Sequence, residues 1–215
     1  MEIKITTLIE DGNHERALSL MTDAYAKQIG RFCTGLVGSP SEAEDLLQET
    51  FIQAWTALPH YRAESSVRAW LYGIARKVCA SHLRKRDRRS TLLRRFFSGG
   101  GEEDTTTGEG ADRVARSETR TIINRALMRL KPKLREAVLL QYQAEMQTSE
   151  IAEILGISPA NARKRVSLGI GELRELLRPV LMEPTKDDKG ACENENEESV
   201  QAYSGPRLVK PREGD

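Results

Sequence analysis

Cysteine, histidine and aromatic residues are scarce in this 215-residue chain. The three cysteines, Cys33, Cys79 and Cys192, are odd in number and far apart, which indicates neither a disulfide framework nor a zinc site. Cys79 and His82 have the spacing of a ligand pair, but two ligands do not complete a tetrahedral metal site. Phosphate-binding loops, serine-hydrolase motifs and zinc-protease motifs are also missing. The sequence therefore predicts a binding protein with no enzyme activity, no metal and no cofactor.

Long apolar runs are missing as well. None approaches the ~18 residues that a membrane-spanning helix needs, and the N-terminus carries acids where a signal peptide carries bases. We therefore predict a cytoplasmic protein with no signal peptide and no membrane span. Aromatic residues make up only 5% of the chain and alternating β-branched runs do not occur, which favours an all-α fold.

Cations and acids are segregated along the chain, although the formal net charge is only +1. Residues 62–95 contain eleven Lys or Arg and only two acids. Apolar residues recur at helical spacing in the same segment, at Val67, Trp70, Leu71, Ile74, Ala75 and Val78, with His82 at the end of the stripe. A long basic helix that begins near aromatic residues is typical of proteins that hold a nucleic-acid backbone and stack bases. The alternative is a core helix with a solvated charged face.

Breaker and capping residues predict two further helices in the first part of the chain. A lead-in over residues 1–12 is followed by an amphipathic helix over 14–32. Ser41 and Glu44 form a capping-box pattern at the start of the next helix. We expect the core side of that helix to consist of Ala43, Leu46, Leu47, Phe51, Ala54 and Trp55.

The composition changes abruptly after residue 97. Residues 98–113 are rich in glycine and acids and poor in apolar side chains, which predicts a flexible linker. The sequence thus predicts two small helical domains, 1–97 and 114–182, joined by this linker. The remaining segment, 183–215, is acidic in its first half and has no helical periodicity, so we predict that it is disordered.

The second domain contains a helix-turn-helix pattern. A short helix opens at Thr148, Gly156 permits a left-handed turn, and Ser158 can cap the next helix, which we expect to end at Arg178–Pro179. That second helix offers side chains that suit base edges and phosphates, namely Ser158, Asn161, Arg163, Lys164, Arg165 and Ser167. The alternative is a plain helical hairpin, which would not need three consecutive cations.

An acidic face on the helix over residues 41–57 has more than one interpretation. Glu42, Asp45 and Glu49 recur at spacings of three and four, so they could jointly bind a divalent metal, as a nuclease requires. No histidine joins them, and no second acidic helix is available to complete such a site. A protein-docking face and a plain solvated surface are the other two interpretations.

These motifs resemble a known family. The segments that resemble the second conserved region of bacterial sigma factors, and the extracytoplasmic-function group most closely, are Asp45–Phe51, Ser66–Arg76 and Arg84–Arg86. The segments that resemble the fourth region are Leu130–Pro132, Arg135–Leu140 and Glu150–Ser158. The resemblance covers roughly residues 14–178, with both motif sets in the expected order.

The resemblance implies three contacts for this chain. Asp45, Gln48 and Glu49 would dock on core RNA polymerase. The helix-turn-helix would read the −35 promoter element as duplex DNA, through the six residues named above. The nontemplate strand of the −10 element would be held by Tyr61, Arg62, Arg68, Arg76, Lys77, Arg84, Lys85 and Arg86.

The resemblance also implies how the promoter opens and how the protein is controlled. The loop over residues 60–66 would capture an unstacked base, with Tyr61 and Trp70 as the nearby aromatics, although Trp70 could equally be a core residue. The acidic linker would thread the nucleic-acid channel of the polymerase, and an anti-sigma factor would silence the protein. A stand-alone helix-turn-helix regulator is the alternative function, but it gives the basic helix and the acidic face no role.

Overall fold

Helices α2 and α4 lie at the centre of the N-terminal part of the fold. The structure, a computed structural model, describes residues 1–96 and 111–182, and describes side chains over 1–91 and 119–179. Residues 98–110 of the predicted linker and all of the predicted tail therefore lie outside the described residues. The described helices are α1 (Glu2–Glu10), α2 (His14–Val37), α3 (Pro40–Ala57), α4 (Val67–Phe96), α5 (Ala111–Arg129), α6 (Pro132–Tyr142), α7 (Thr148–Leu155) and α8 (Pro159–Met182), with a 3-10 turn at Leu58–His60. The described parts of the chain contain no strand, and the prediction of an all-α fold is confirmed.

The first four helices, which we call the N-terminal half (residues 1–96), share one apolar core. Met21 and Ile29 on α2 are fully buried, and so is Leu71 on α4. The rings of Phe32 and Tyr72 join α2 to α4 in an edge-to-face contact, with centroids 5.1 Å apart. The buried side of α4 is wider than the predicted stripe, because Tyr72 packs on α2 beyond that stripe. Helix α4 is thus a central element, and its basic residues are fixed on a rigid support.

The N-terminal lead-in contains a helix, α1, which the sequence analysis did not predict. Ile5 and Ile9, four residues apart, are both buried against the core, and this contact stabilises α1 despite its short length. Gly12 lies in the connection between α1 and α2 and has a φ of 73°. The side chain of Asn13 then caps α2 by accepting a hydrogen bond from the N–H of Arg16. The predicted helix over 14–32 also runs further, to Val37, because its last turn remains buried.

Three details of the other predicted helices were also wrong. Ser39, and not Ser41, caps α3, because Pro40 occupies the first turn and the Ser39 hydroxyl accepts the N–H of Glu42. Trp55 is exposed and does not belong to the core side of α3. Helix α8 does not end at Pro179 but continues to Met182.

The last four helices, which we call the C-terminal half (residues 111–182), form a helix-turn-helix on a two-helix support. Helix α6 begins at Pro132, as predicted. Gly156 adopts the predicted left-handed conformation with a φ of 63°, which turns the chain from α7 into α8. No described helix is long and apolar enough to cross a membrane.

Gly169 allows α8 to approach α6 closely. A Cβ atom at this position would lie 2.5 Å from Val138 Cγ2 and 3.3 Å from the backbone oxygen of Leu134. We expect Gly169→Ala to lower the free energy of unfolding by about 1–3 kcal/mol, because neither neighbour can move without disturbing α6. Gly171→Ala on the same helix is the control, since a Cβ atom there meets nothing within 4 Å. Urea denaturation measures both, and equal stability of the two variants would contradict the close packing.

The two halves are in contact. Residues Met1–Val180 form one compact unit, in which α2 contacts α5 and α6, and α4 contacts α7. The prediction that the halves are separate domains stays a prediction, because most of the linker between them lies outside the described residues.

Candidate nucleic-acid interface

The exposed side of α3 gathers the residues predicted to dock on a polymerase. Asp45, Gln48 and Glu49 are all exposed and share one side of the helix. Two large apolar side chains continue this side, Ile52 with 60% and Trp55 with 46% of its surface exposed. Exposed apolar residues beside polar ones are typical of protein-binding surfaces. We call these five residues the α3 face; the sequence prediction missed Ile52 and Trp55, because apolar residues on a helix were assigned to the core.

Glu42, on the same helix, contacts α4. Its Oε2 atom lies 3.0 Å from Nε2 of His82 and 3.2 Å from the guanidinium of Arg86. Among the side chains that the structure describes, no three His, Cys, Asp or Glu are close enough together to hold a metal ion. The geometry therefore gives no support to the interpretation of Glu42, Asp45 and Glu49 as a metal site.

The residues predicted to hold the −10 strand differ in exposure. The exposed ones are Arg62, Lys77, Arg84 and Lys85. The half-buried ones are Tyr61, Arg68, Arg76 and Arg86. Arg86 is tied to the N-terminal core, because it donates to the backbone oxygen of Val37 at 3.2 Å as well as to Glu42. The exposed group is open to solvent, whereas the half-buried arginines already have protein partners.

Two of those partners belong to the C-terminal half. Arg76 donates from Nε to Glu136 Oε2 at 3.1 Å, and Arg68 lies 3.5 Å from Glu150 Oε1. Glu136 is in α6 and Glu150 is in α7. The sequence prediction missed both pairs, because residues so far apart along the chain leave no local pattern.

An open groove of about 640 Å³ lies between α1 and the loop that precedes α4. Tyr61 lines it; its hydroxyl donates to the backbone oxygen of Ser65 at 2.6 Å, and its ring meets Trp70 edge to face with centroids 5.1 Å apart. Burial and the nearby carboxylate of Glu2 raise the pKa of Tyr61, so its phenol stays protonated at neutral pH. Trp70 packs partly against the core, and both of its predicted roles stay open.

The second helix of the helix-turn-helix is α8. The Ser158 hydroxyl accepts the N–H of Asn161 at 3.3 Å and thereby caps the helix, while Ala162 is fully buried against the rest of the half. Four of the other side chains predicted to contact the −35 element are exposed, namely Asn161, Arg163, Lys164 and Ser167. Arg165 is half-buried. The structure thus places the predicted −35 residues on one accessible helix.

Leu168 is a further candidate that the sequence prediction missed. It is 50% exposed and lies on the same side of α8 as Asn161 and Lys164, at helical intervals of seven and four. An apolar side chain on a reading surface can contact the methyl group of thymine in the major groove. The sequence could have indicated Leu168, because this apolar residue lies outside the buried side of α8.

Two segments of the chain match known family descriptions. Residues 21–89 match "Sigma-70 region 2", and residues 120–173 match "Sigma-70, region 4". The first match includes the α3 face and most of the basic part of α4, and the second includes the helix-turn-helix.

Individual proteins and solved structures that are similar to this chain are also sigma factors. The probable RNA polymerase sigma-C factor of Mycobacterium bovis is 35% identical over 155 residues, which cover 71% of this chain and 78% of that protein. The ECF RNA polymerase sigma factor SigG of Mycobacterium tuberculosis is 29% identical over 73% of this chain, which spans about half of SigG (49%). A solved structure of the sigma factor RpoE in complex with the anti-sigma factor NepR from Bartonella quintana is also similar. RpoE is 25% identical to this chain with a TM-score of 0.60, and the aligned part covers 74% of this chain and 96% of RpoE.

Proposed function

Because the chain belongs to the extracytoplasmic-function group of the sigma-70 family, we propose that it binds core RNA polymerase and directs transcription initiation at specific promoters. The observation that carries this proposal is the presence, in one chain and in order, of an exposed docking face, a basic helix and a helix-turn-helix. The role requires no catalytic residue in the chain, because the polymerase performs the bond chemistry. It also places the protein in the cytoplasm, with the polymerase and the chromosome.

The −10 element is engaged as a single strand on α4. Exposed Lys77, Arg84 and Lys85 attract the phosphates, and this attraction is independent of sequence. The groove between α1 and the loop at Tyr61 offers room for an unstacked base beside an aromatic ring. Capture of a base in this groove stabilises the open strand, so reading and melting occur together.

The −35 element is read as duplex by α8. A capped helix that presents its N-terminal residues to the major groove is the usual geometry of a helix-turn-helix. Asn161 suits adenine, and Arg163 and Lys164 suit guanine or phosphate. Separate surfaces for the two elements explain why one chain needs both of its halves.

Core polymerase binds the α3 face. Ile52 and Trp55 supply apolar area at the C-terminal end of this face, while Asp45, Gln48 and Glu49 provide a polar part of suitable charge for a basic partner surface.

Ile52→Asp is expected to weaken binding to core polymerase by roughly 30-fold, the effect of removing a hot-spot residue worth about 2 kcal/mol. Ile52 is exposed, so the fold should be unaffected. The matched control is Ile3→Asp, the same change at an isoleucine that is 84% exposed on α1. Surface plasmon resonance with immobilised core enzyme measures both, and equal affinities for the two variants would exclude Ile52 from the docking surface.

An anti-sigma factor is part of the proposal. The support is that the similar sigma factor RpoE was solved in complex with the anti-sigma factor NepR. Such a partner would silence this chain by covering surfaces that the polymerase or promoter needs. Co-purification from the native host checks this part, and recovery of core polymerase alone would count against it.

The alternative is a stand-alone DNA-binding regulator that uses only α7 and α8. It leaves the exposed apolar pair on α3 and the cations of α4 without a partner.

In vitro transcription distinguishes the two functions. Core polymerase is combined with the purified full chain over a promoter library, and new start sites are expected only when the chain is added. Binding to duplex DNA without binding to core polymerase, and no new start sites, would favour the stand-alone regulator.

A further inference from the structure

The groove between α1 and the loop that precedes α4 has a lining of one electrostatic character. Its polar side chains are acidic or carry a hydroxyl group, and they belong to Glu2, Thr6, Thr7, Glu10, Tyr61, Glu64, Ser65 and Ser66. None of the described residues that line the groove is Lys, Arg or His. The carboxylates would repel a phosphate, and the exposed cations Arg62 and Lys77 lie outside the lining. The groove therefore suits a base and not the backbone of the strand.

Three hydroxyl groups of this lining already donate their hydrogens to the backbone. Thr6 Oγ1 donates to the backbone oxygen of Glu2 at 3.2 Å. Thr7 Oγ1 donates to the backbone oxygen of Ile3 at 3.0 Å. The Tyr61 hydroxyl donates to the loop, as described above. Each of these oxygens can then only accept a further hydrogen bond, so the lining favours a ligand that carries donors.

Glu2 holds a carboxylate at a fixed place in the lining. Its Oε1 atom accepts the backbone N–H of Arg68, in the first turn of α4, at 3.0 Å. Burial, and after it the charge of Glu2, raises the pKa of Tyr25 and the pKa of Tyr61, because the carboxylate lies close to both phenols. One oxygen thus anchors the Glu2 side chain, and the other, Oε2, is available to a ligand beside Tyr61.

The loop that forms the other wall of the groove is held in one shape. Ala63 has a φ of 54°, in the left-handed region that residues with a side chain seldom adopt. The hydrogen bond from Tyr61 to Ser65 closes this turn, and Ser66 caps α4 by accepting a backbone N–H at 3.1 Å. Uncommon backbone conformations that the surrounding structure maintains are typical of ligand-binding loops. A rigid wall opposite Glu2 is what a selective site requires.

Exocyclic amines distinguish the bases at a site of this kind. Adenine, cytosine and guanine each carry an N–H2 group that can donate to a carboxylate, whereas thymine has no such group and presents carbonyl oxygens. A hydrogen bond to a carboxylate is strong because the acceptor is charged. The carbonyl oxygens of thymine would instead meet other acceptors, and both groups would lose water without gaining a hydrogen bond.

We infer that Glu2 selects the captured −10 base: its Oε2 atom accepts a hydrogen bond from the exocyclic amine of an adenine, cytosine or guanine, and thymine is rejected. This inference rests on the proposed function, because it assigns a base preference to the groove described there. It gives α1 a role in promoter reading, although α1 precedes the segment, 21–89, that matches the second sigma-70 region.

Glu2→Gln keeps the anchor and reverses the chemistry of the free end. The amide oxygen can still accept the N–H of Arg68, which leaves the amide N–H2, a donor, in the place of Oε2. Glu2→Asp is a second variant, which keeps the charge but withdraws the carboxylate by one methylene group. Glu10→Gln is the matched control, since it removes the same charge from the same helix and the same groove. Circular dichroism checks the fold of all three variants.

Run-off transcription by core polymerase and the full chain, on a promoter selected from the library, tests the inference. At each nontemplate position of the −10 element the exocyclic amine is deleted, by purine for adenine, 2-pyrimidinone for cytosine or hypoxanthine for guanine. At one position we expect wild type and Glu10→Gln to lose roughly tenfold in initiation, the factor for one hydrogen bond to a charged group. Glu2→Gln should lose less than about twofold there, and the comparison between proteins cancels the effect of the analogue on duplex stability.

The inference is overturned if no amine deletion reduces initiation by wild type, or if Glu2→Gln loses as much as wild type at every position. It is also overturned if Glu10→Gln abolishes the dependence equally, because the selection would then come from the charge of the whole groove. If Glu2→Gln does not fold, Glu2→Asp decides by the same comparison. These results leave the sigma-factor role intact, since wild type still initiates on the unmodified promoter; failure of wild type to initiate on any promoter would overturn the proposed function as well.

Discussion

Arg84→Glu combined with Lys85→Glu is expected to reduce promoter opening by the holoenzyme roughly 100-fold, since two charge-assisted hydrogen bonds are together worth about 3 kcal/mol or more. Both side chains are exposed on α4, so the fold should persist. The slope of log affinity against log salt concentration should also fall by about two, one unit for each lost phosphate contact. Fluorescence of 2-aminopurine in the −10 element measures the opening.

Lys131→Glu with Lys133→Glu is the matched control for this change. It reverses the same amount of charge at two exposed lysines near the start of α6, outside the two proposed DNA surfaces. If the control reduces opening as much as the α4 variant does, the effect is one of net charge, and α4 has no special role. If neither variant reduces opening, the nontemplate strand does not lie on the exposed part of α4.

Asn161→Ala combined with Lys164→Ala is expected to weaken transcription by roughly 30-fold or more, because two base-edge contacts worth about 1–3 kcal/mol each are lost. Both side chains are exposed on α8, so the loss reflects recognition and not folding. The loss should depend on the −35 element: on promoters in which that element is scrambled, wild type and variant should give equal, low transcription.

Run-off transcription from matched intact and scrambled promoters provides this comparison. Glu175→Ala serves as the control, because Glu175 pairs with Arg178 on the exposed surface of the same helix, and an exposed pair of this kind contributes little to stability. A defect in the variant that is equally large on scrambled promoters would show that Asn161 and Lys164 do not read the −35 element.

Local signals in the sequence were sufficient for the helix-turn-helix. Gly156, Ser158 and Pro159 each act within one turn of the chain, so their left-handed, capping and first-turn roles follow from residue type and position alone. The same is true of Pro132 at the start of α6. The predicted reading surface of α8 depended only on these local boundaries, and its side chains are accessible as expected.

The misses have a common physical cause, which is tertiary packing. Helix α1 is short for a helix that stands alone, and burial of Ile5 and Ile9 stabilises it. Trp55 fits the apolar pattern of α3, yet it remains exposed, because no other described helix covers that side of α3. No rule of spacing indicates which side of a helix receives a neighbour.

The ion pairs of the basic helix show the same limit for the candidate site. The charge of Arg68 and Arg76 correctly suggests affinity for an anion, and the structure provides anions from within the chain. Contacts between residues some 60 or more positions apart depend on how the two halves meet. The sequence therefore predicted the chemistry of these arginines but not their partners in the free chain.

Footprinting of the holoenzyme on a selected promoter tests the central claim most directly. Nuclease protection locates the contacts, and permanganate detects unpaired thymines. We expect two separate protected segments, with unpaired thymines only in the downstream one, and both features should require the chain and core polymerase together. A single protected segment that the chain produces without polymerase, with no unpaired thymine, would contradict the account.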